Sequence, residues 1–304
     1  MVRKGEYTAG SPGLRRSLPC AILANPAAGR MGRERAQERL TALARGLDCP
    51  VFGLDTASAG EFRDAAAEVS RRAEVMLVAG GDGTFTDVLN SRLGGAVLGY
   101  LPFGTGNALR SALGIGQAGR DYLDKVRRRQ ASPVGVMEVN GSRKAFFASL
   151  GVDALTVRRY TDLTEAGHYG FLGYARAFAQ ALGSYSPGTL RVTGEHGRTE
   201  EVRRNLACIV SKHPFYGYGL RVNQGRITDQ GLFVRAVTAN PVVLPGVLLS
   251  AALGRKPRLG FLRHGLSFTV SSDAEQCLQY DGEWGGTGRE FAFAALPDYV
   301  KVIL

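Results

Sequence analysis

From residue 20 to residue 101, short apolar runs alternate with stretches of helical period. Cys20–Ala24, Val51–Leu54, Val75–Ala79 and Ala96–Leu101 have the length and composition of strands. Between them, 33–47 sets Ala36, Leu40, Leu43 and Leu47 on one stripe of a helix, and 59–72 and 85–93 also carry helical patterns. A run that is apolar throughout, such as Val75–Ala79, belongs to a strand covered on both faces. The rhythm therefore predicts a parallel sheet with right-handed crossovers. At Ser132-Pro133 the pattern changes. Short strand-like runs follow at Val134–Val139, Lys144–Ser149, Leu190–Thr193, Leu206–Ser211, Leu232–Thr238 and Leu266–Val270, interrupted by a helix near Tyr169–Leu182 and an apolar helix near Val242–Leu253. The expected organisation is a polar basic tail (1–17), an α/β domain (18–132) and a β-rich, sandwich-like domain (133–304) whose last strand can return to the first.

Composition narrows the class. Hydrophobic residues at 44% and charged residues at 21% exclude wholesale disorder. The 41 glycines have no three-residue period, so collagen is excluded as well. The four cysteines, Cys20, Cys49, Cys208 and Cys277, stand far apart and form no C-x-x-C pair. That spacing gives neither a disulfide framework nor a zinc site, and free thiols in a reducing cytoplasm are expected. The run after Arg15-Arg16 is too short for a signal peptide, and no stretch has the ~18–20 apolar residues of a spanning helix. The expectation is a cytoplasmic protein that at most lies on a membrane.

Three glycine-bearing turns fall at the carboxyl ends of predicted parallel strands, where open α/β sheets bind ligands. They are Asn25-Pro26-Ala27-Ala28-Gly29, Gly80-Gly81-Asp82-Gly83-Thr84 and Gly104-Thr105-Gly106-Asn107. Glycine lets the backbone approach a phosphate closely, and a helix starting after the turn adds free N–H groups. Each turn alone is an ordinary strand-to-helix connection; three on one edge point to a polyphosphate ligand. There is no G-x-x-x-x-G-K-[ST]. Gly114-Ile115-Gly116-Gln117-Ala118-Gly119 matches G-x-G-x-x-G but follows a predicted helix, so it is read as a loop.

With Asn25-Pro26…Gly29, Gly80–Thr84 and Leu101-Pro102-Phe103-Gly104-Thr105-Gly106-Asn107 in order, the chain resembles the diacylglycerol kinase catalytic-domain family, which includes bacterial lipid kinases, sphingosine kinases and ceramide kinases. Gly151-Val152-Asp153-Ala154, Gly170…Tyr174 and Tyr280-Asp281-Gly282-Glu283 extend the likeness to about residue 290. The resemblance implies ATP with Mg²⁺ bound in a cleft between an α/β and a β-rich domain. It places Asn25, Thr56, Gly80, Gly81, Gly83, Thr84, Gly104, Thr105 and Asn107 around the nucleotide. Among phosphate-binding amides the carboxylate of Asp82 needs a metal or hydroxyl partner, and Mg²⁺ on the phosphates is the first choice, a helix cap the alternative. Asp281 is expected as the base toward the acceptor hydroxyl, with Glu283 supporting it or the metal; the alternative is a plain Asp-Gly hairpin. A structural Mg²⁺ of the family's second domain would fall at Thr228-Asp229-Gln230-Gly231, kept if Asp229 is the ligand and lost if the ligand position is Gln230.

The net charge of +11 suits ATP and an anionic membrane surface. The stripe Phe171, Tyr174, Phe178, Leu182 and the basic-apolar stretch Arg255–Arg263 are the candidate membrane contacts, with packing in the core as the alternative for both. No nucleic-acid module is present. The expected activity is phosphorylation of a lipid hydroxyl on diacylglycerol, a sphingoid base, ceramide or a related lipid. The rivals are an NAD kinase, which usually carries an Asn-Glu pair that this sequence lacks, and a non-catalytic nucleotide- or lipid-binding relative. Oligomeric state is left open, a homodimer included.

Overall fold

In the computed structural model the described residues are 18–28, 34–104, 106–115, 120–168, 170–239 and 261–304, apart from the side chains of residues 120, 171 and 218. The tail 1–17, Gly29, Thr105, the helix expected near Val242–Leu253 and the basic residues 255–260 lie outside them. The chain divides into two compact units. One comprises residues up to Val134 together with Asp298–Leu304; the other is Gly135–Pro297.

The first unit is the expected α/β layer structure. Its elements are β1 (Leu18–Ala24), α1 (Glu34–Leu47), β2 (Val51–Phe52), α2 (Ala59–Arg72), β3 (Ala73–Gly80), α3 (Asp82–Leu89), β4 (Val97–Pro102), α4 (Ala108–Ala112) and α5 (Arg120–Arg127). The sheet runs β2-β1-β3-β4, all parallel, and the end of the chain adds to its edge with Val302 opposite Leu98. Met76, Leu77, Val78 and Ala79 on β3 are wholly buried, as a central strand covered on both faces requires. Helix α2 begins where Ser58 accepts the amide of Glu61, while Glu61 reaches back to the amide of Ala57. These reciprocal bonds satisfy two of the helix's free donors.

Two expectations change here. The helix placed at 85–93 starts at Asp82, because Gly81 in extended backbone is its cap. Cys20 and Cys49, expected as free thiols, form a disulfide across a Cα separation of 5.3 Å, whereas Cys208 and Cys277 are free. Adjacent parallel strands β1 and β2 bring together two cysteines that lie 29 residues apart in the chain. Spacing along a sequence carries no trace of that.

β5 (Ala131–Val139) leads into the second unit, built from β6 (Arg143–Ala145), β7 (Phe147–Gly151), α6 (Val152–Glu165), α7 (Gly170–Ser184), β8 (Leu190–Gly194), β9 (Thr199–Val202), β10 (Asn205–Ser211), β11 (Leu232–Thr238), β12 (Phe261–Gly265), β13 (Ser267–Tyr280) and β14 (Glu283–Ile303). Its strands pair antiparallel in the order β12-β11-β10-β7-β13-β14, with β8 on β13 and β9 on β8. Val139, Leu150, Val192, Val210, Val234, Phe268, Phe291 and Phe293 share its core. Helix α6 is an addition to the sequence reading, in which only two helices interrupt the strands. Its buried Val152, Ala154, Thr156 and Val157 all fall in the first six residues, spread around the helix and include a polar residue, so the helical period is faint. In α7, Phe178 packs against Val152 and Ala181, while Leu172 and Leu182 are exposed (82% and 37%). Of the stripe, Tyr174 and Phe178 are half-buried against their own unit, Leu182 is exposed, and the side chain of Phe171 lies outside the described residues. No helix among the described residues is long and apolar enough to cross a membrane.

Candidate functional site

In the first unit the Gly80–Thr84 and Gly104–Asn107 turns are packed on each other. The amides of Phe103 and Gly104 both donate to the Gly80 carbonyl (2.8 and 3.1 Å). A Cβ on Gly104 would stand 2.5 Å from the Cα of Gly81, and one on Gly80 would meet the Thr84 side chain at 2.5 Å. The two glycine turns are therefore a joint built by backbone approach, and no larger residue fits it. Thr84 is buried, and its hydroxyl accepts from Asn25 Nδ2 at 3.1 Å, which ties the first turn to the second. Asn25 Oδ1 in turn accepts the amide of Ala27. Thr56 closes its own turn on the Gly53 carbonyl (2.8 Å).

The first intrahelical bond of α3 runs from the amide of Phe85 to the carbonyl of Gly81 (3.2 Å). The amides of Asp82, Gly83 and Thr84 precede it and belong to the free donors of a helix start, where the dipole favours an anion. Arg39 lies over the Phe103 ring with its guanidinium carbon 5.0 Å from the centroid, and burial and then the charge of Arg110 lower its pKa. The repulsion that Arg39 feels from Arg110 is of the kind an anion relieves. Sequence reasoning missed Arg39, which looks like any charge on the exposed face of α1.

Asp82 has an assignment that the sequence did not suggest. Its carboxylate accepts the amides of Ala108 (2.7 Å) and Leu109 (3.1 Å) and the hydroxyl of Tyr100 (3.2 Å). It caps α4, not the helix it begins. Burial pushes its carboxyl above the ordinary range against the pull of those donors, and burial and the Asp82 charge push the Tyr100 phenol up. Tyr100 also donates to Asn107 Oδ1 (3.1 Å), while Asn107 Nδ2 holds the Gly104 carbonyl (2.8 Å). Asn107 adopts a left-handed backbone (φ 45°), which Asn tolerates better than most residues. Tyr100 was read only as part of an apolar strand, yet it joins both turns from beneath.

In the second unit Asp281 and Gly282 (φ 48° and 85°) are the two-residue loop of the β13–β14 hairpin, with Tyr280 opposite Glu283. The Asp-Gly hairpin named as the alternative reading is the conformation the chain adopts here. The Asp281 carboxylate is oriented by the amides of Phe146 (3.0 Å) and Phe147 (3.0 Å). Glu283 pairs with Arg143 at 2.8 Å, and Arg143 also lies over the Tyr280 ring. Behind the loop, the amide of Gly282 donates to Gln279 Oε1 (3.0 Å), whose Nε2 donates to Ser149 (2.7 Å) and Asp153 (3.1 Å). Asp153 also accepts from Ser149 and Tyr174. Burial pushes its carboxyl up against the bonds from Ser149, Tyr216, Gln279 and Tyr174. This buried polar network braces the hairpin loop. Of its members only Asp153 and Tyr174 were marked by the sequence reading.

No group of three or more His, Cys, Asp or Glu among the described residues is placed to hold a metal. Three donors on the two oxygens of Asp82 leave room for one further partner. That suits Mg²⁺ carried in on phosphates with its own waters better than a resident ion.

No curated protein matches the chain by sequence. Two structures of a protein from Bacillus anthracis str. Sterne provisionally named a diacylglycerol kinase align at TM-scores of 0.72 and 0.70, each with 18% identity, covering 93% of this chain and 96% of that one. A third, of a diacylglycerol kinase from the same organism, aligns at 0.69 with 17% identity and the same coverage. At that identity the likeness establishes a shared two-domain fold. By sequence, it is residues 19–139, the segment bearing all three glycine turns, that match the diacylglycerol kinase catalytic domain family.

Proposed function

We propose that the protein is an ATP-dependent lipid kinase that transfers the γ-phosphate to a lipid hydroxyl. The observation that carries this reading is the coincidence of the matched segment with the packed joint of Gly80, Gly81 and Gly104. The joint sets the first-turn amides of α3 beside a Tyr100-braced carboxylate, and Arg39 and Arg110 add positive charge. Phosphoryl transfer is mainly positioning and charge stabilisation, and fixed amides and guanidinium groups supply both.

In this reading the amides of Asp82, Gly83 and Thr84 bind phosphate oxygens, and Asn25 keeps Thr84 in place. Asp82 and Glu283 are the side chains that would hold Mg²⁺ bound with the nucleotide, and the ion would supply neutralisation of phosphate charge. Asp281, aimed by two backbone amides, accepts the proton of the lipid hydroxyl as the new P–O bond forms. Gln279 and Asp153 hold the loop that carries it. The acyl chains lie on the second unit, and contact with an anionic membrane surface delivers them.

The test is transfer of label from γ-labelled ATP to a panel of diacylglycerol, sphingosine, ceramide and NAD. Label in a lipid alcohol supports the proposal. Label in NAD alone, or in none of the four, would sink it.

A further inference from the structure

We infer that the second unit carries its own cation, the Lys212 ammonium, at the loop where the family resemblance implies a structural Mg²⁺. Lys212 follows β10 and is fully buried. Its Nζ donates to the backbone carbonyl of Asp229 and, at 3.1 Å, to that of Gly231. Backbone carbonyls of such a loop are typical oxygen ligands for a hard divalent ion. Here they are ligands to an ammonium.

The surroundings fit the ammonium and not the metal. The loop is a tight turn in which the amide of Asp229 donates to the Arg226 carbonyl (2.9 Å), and Asp229 Oδ2 accepts the amide of Arg226 (2.8 Å). The single carboxylate of this segment is thus folded onto its own turn, and the adjacent position is the neutral Gln230. A divalent ion takes six or more oxygens, its own waters included, but no group of three or more His, Cys, Asp or Glu is placed to hold one among the described residues. It would also have to sit beside a buried positive charge, and like charges at that range in a desolvated site repel strongly. The opposite side is shaped for the lysine: a Cβ on Gly135 would stand 3.0 Å from Lys212 Nζ and 3.1 Å from the Leu296 carbonyl, so glycine leaves the space the ammonium occupies.

The lysine is also tied to the catalytic-side hairpin. The amide of Lys212 donates to the Phe146 carbonyl (2.8 Å), and the amide of Phe146 holds Asp281. Residue 212 therefore joins two places, pairing its main-chain amide with Phe146 and its side chain with the 226–231 loop. This inference is independent of the kinase reading, since it concerns the order of one unit without nucleotide.

The experiment is hydrogen exchange of the amides at 226–231 in the nucleotide-free full chain, with EDTA and then with Mg²⁺ or Ca²⁺ as the probe. The expected result is the same protection in all three conditions, together with faster exchange in Lys212→Met that no metal restores. Metal-dependent protection of these amides in the wild-type chain would overturn the inference, as would unchanged exchange in a folded Lys212→Met. Should that variant fail to fold, the wild-type comparison still decides.

Discussion

A Cβ on Gly104 would strike the Cα of Gly81 at 2.5 Å, whereas a Cβ on Gly282 would meet nothing within 4 Å. In the first unit glycine is required because two backbone turns touch. In the second it is required because the chain must take φ 85° to turn a hairpin in two residues. The first arrangement makes a rigid joint of amides whose geometry cannot be separated from its packing. The second leaves an exposed glycine, its amide held by Gln279, beside a carboxylate that is aimed from outside the loop by Phe146 and Phe147. Under the proposed function, phosphate recognition is built into the fold of one unit, and Asp281 is mounted on the other by hydrogen bonds.

The two units should also respond to different stresses, which gives ways to break the comparison. Reducing Cys20–Cys49, which closes a loop 29 residues in separation, should destabilise the first unit by roughly 3–4 kcal/mol on chain-entropy grounds. Hydrogen exchange with and without reductant should show the loss on β1 and β2 and leave β10 and β13 unchanged. Acid should do the reverse. Burial pushes the His213 imidazole down to about 4 from an ordinary 6.5, so the unfolded chain binds the proton more readily. As pH falls from 6.5 through 4, the His213 contribution to the second unit should fall by on the order of 3 kcal/mol and return as pH rises, opposed by Asp153, whose raised carboxyl takes up a proton more readily in the folded chain. His213→Gln should flatten that dependence in a urea titration at several pH values.

The glycine contrast itself is tested by alanine. Gly104→Ala should cost about 2–3 kcal/mol through overpacking and should abolish nucleotide binding, read by urea midpoint and calorimetry. Gly282→Ala should cost only about 1 kcal/mol for a left-handed alanine, with nucleotide binding intact. Equal effects from the two substitutions would remove the distinction.

The fold was legible where one period dominates. Helix α2 matches its predicted limits, and β11 does too, because an apolar run bounded by Gly231 and Ala239 admits one reading. Helix α6 was hidden because its buried residues are confined to its first six positions, follow no single stripe and include Thr156. The glycine turns were visible as residue types at strand ends. Tyr100, Gln279 and Lys212 were not, because a polar atom buried at the end of a long side chain leaves no mark in an apolar strand or loop. Asp82 was visible but assigned to a different neighbour: its partners Ala108 and Leu109 lie 26 and 27 residues on. Only the pairing of β3 with β4 brings them together.

Under the proposed function one unit binds the nucleotide and Asp281 of the other accepts the proton. The most direct measurement compares ATP affinity with label transfer to lipid in Asp281→Asn. The account predicts nucleotide affinity close to that of the wild-type chain and transfer reduced by about 10²–10⁴. Transfer at the wild-type rate, with affinity unchanged, would contradict it.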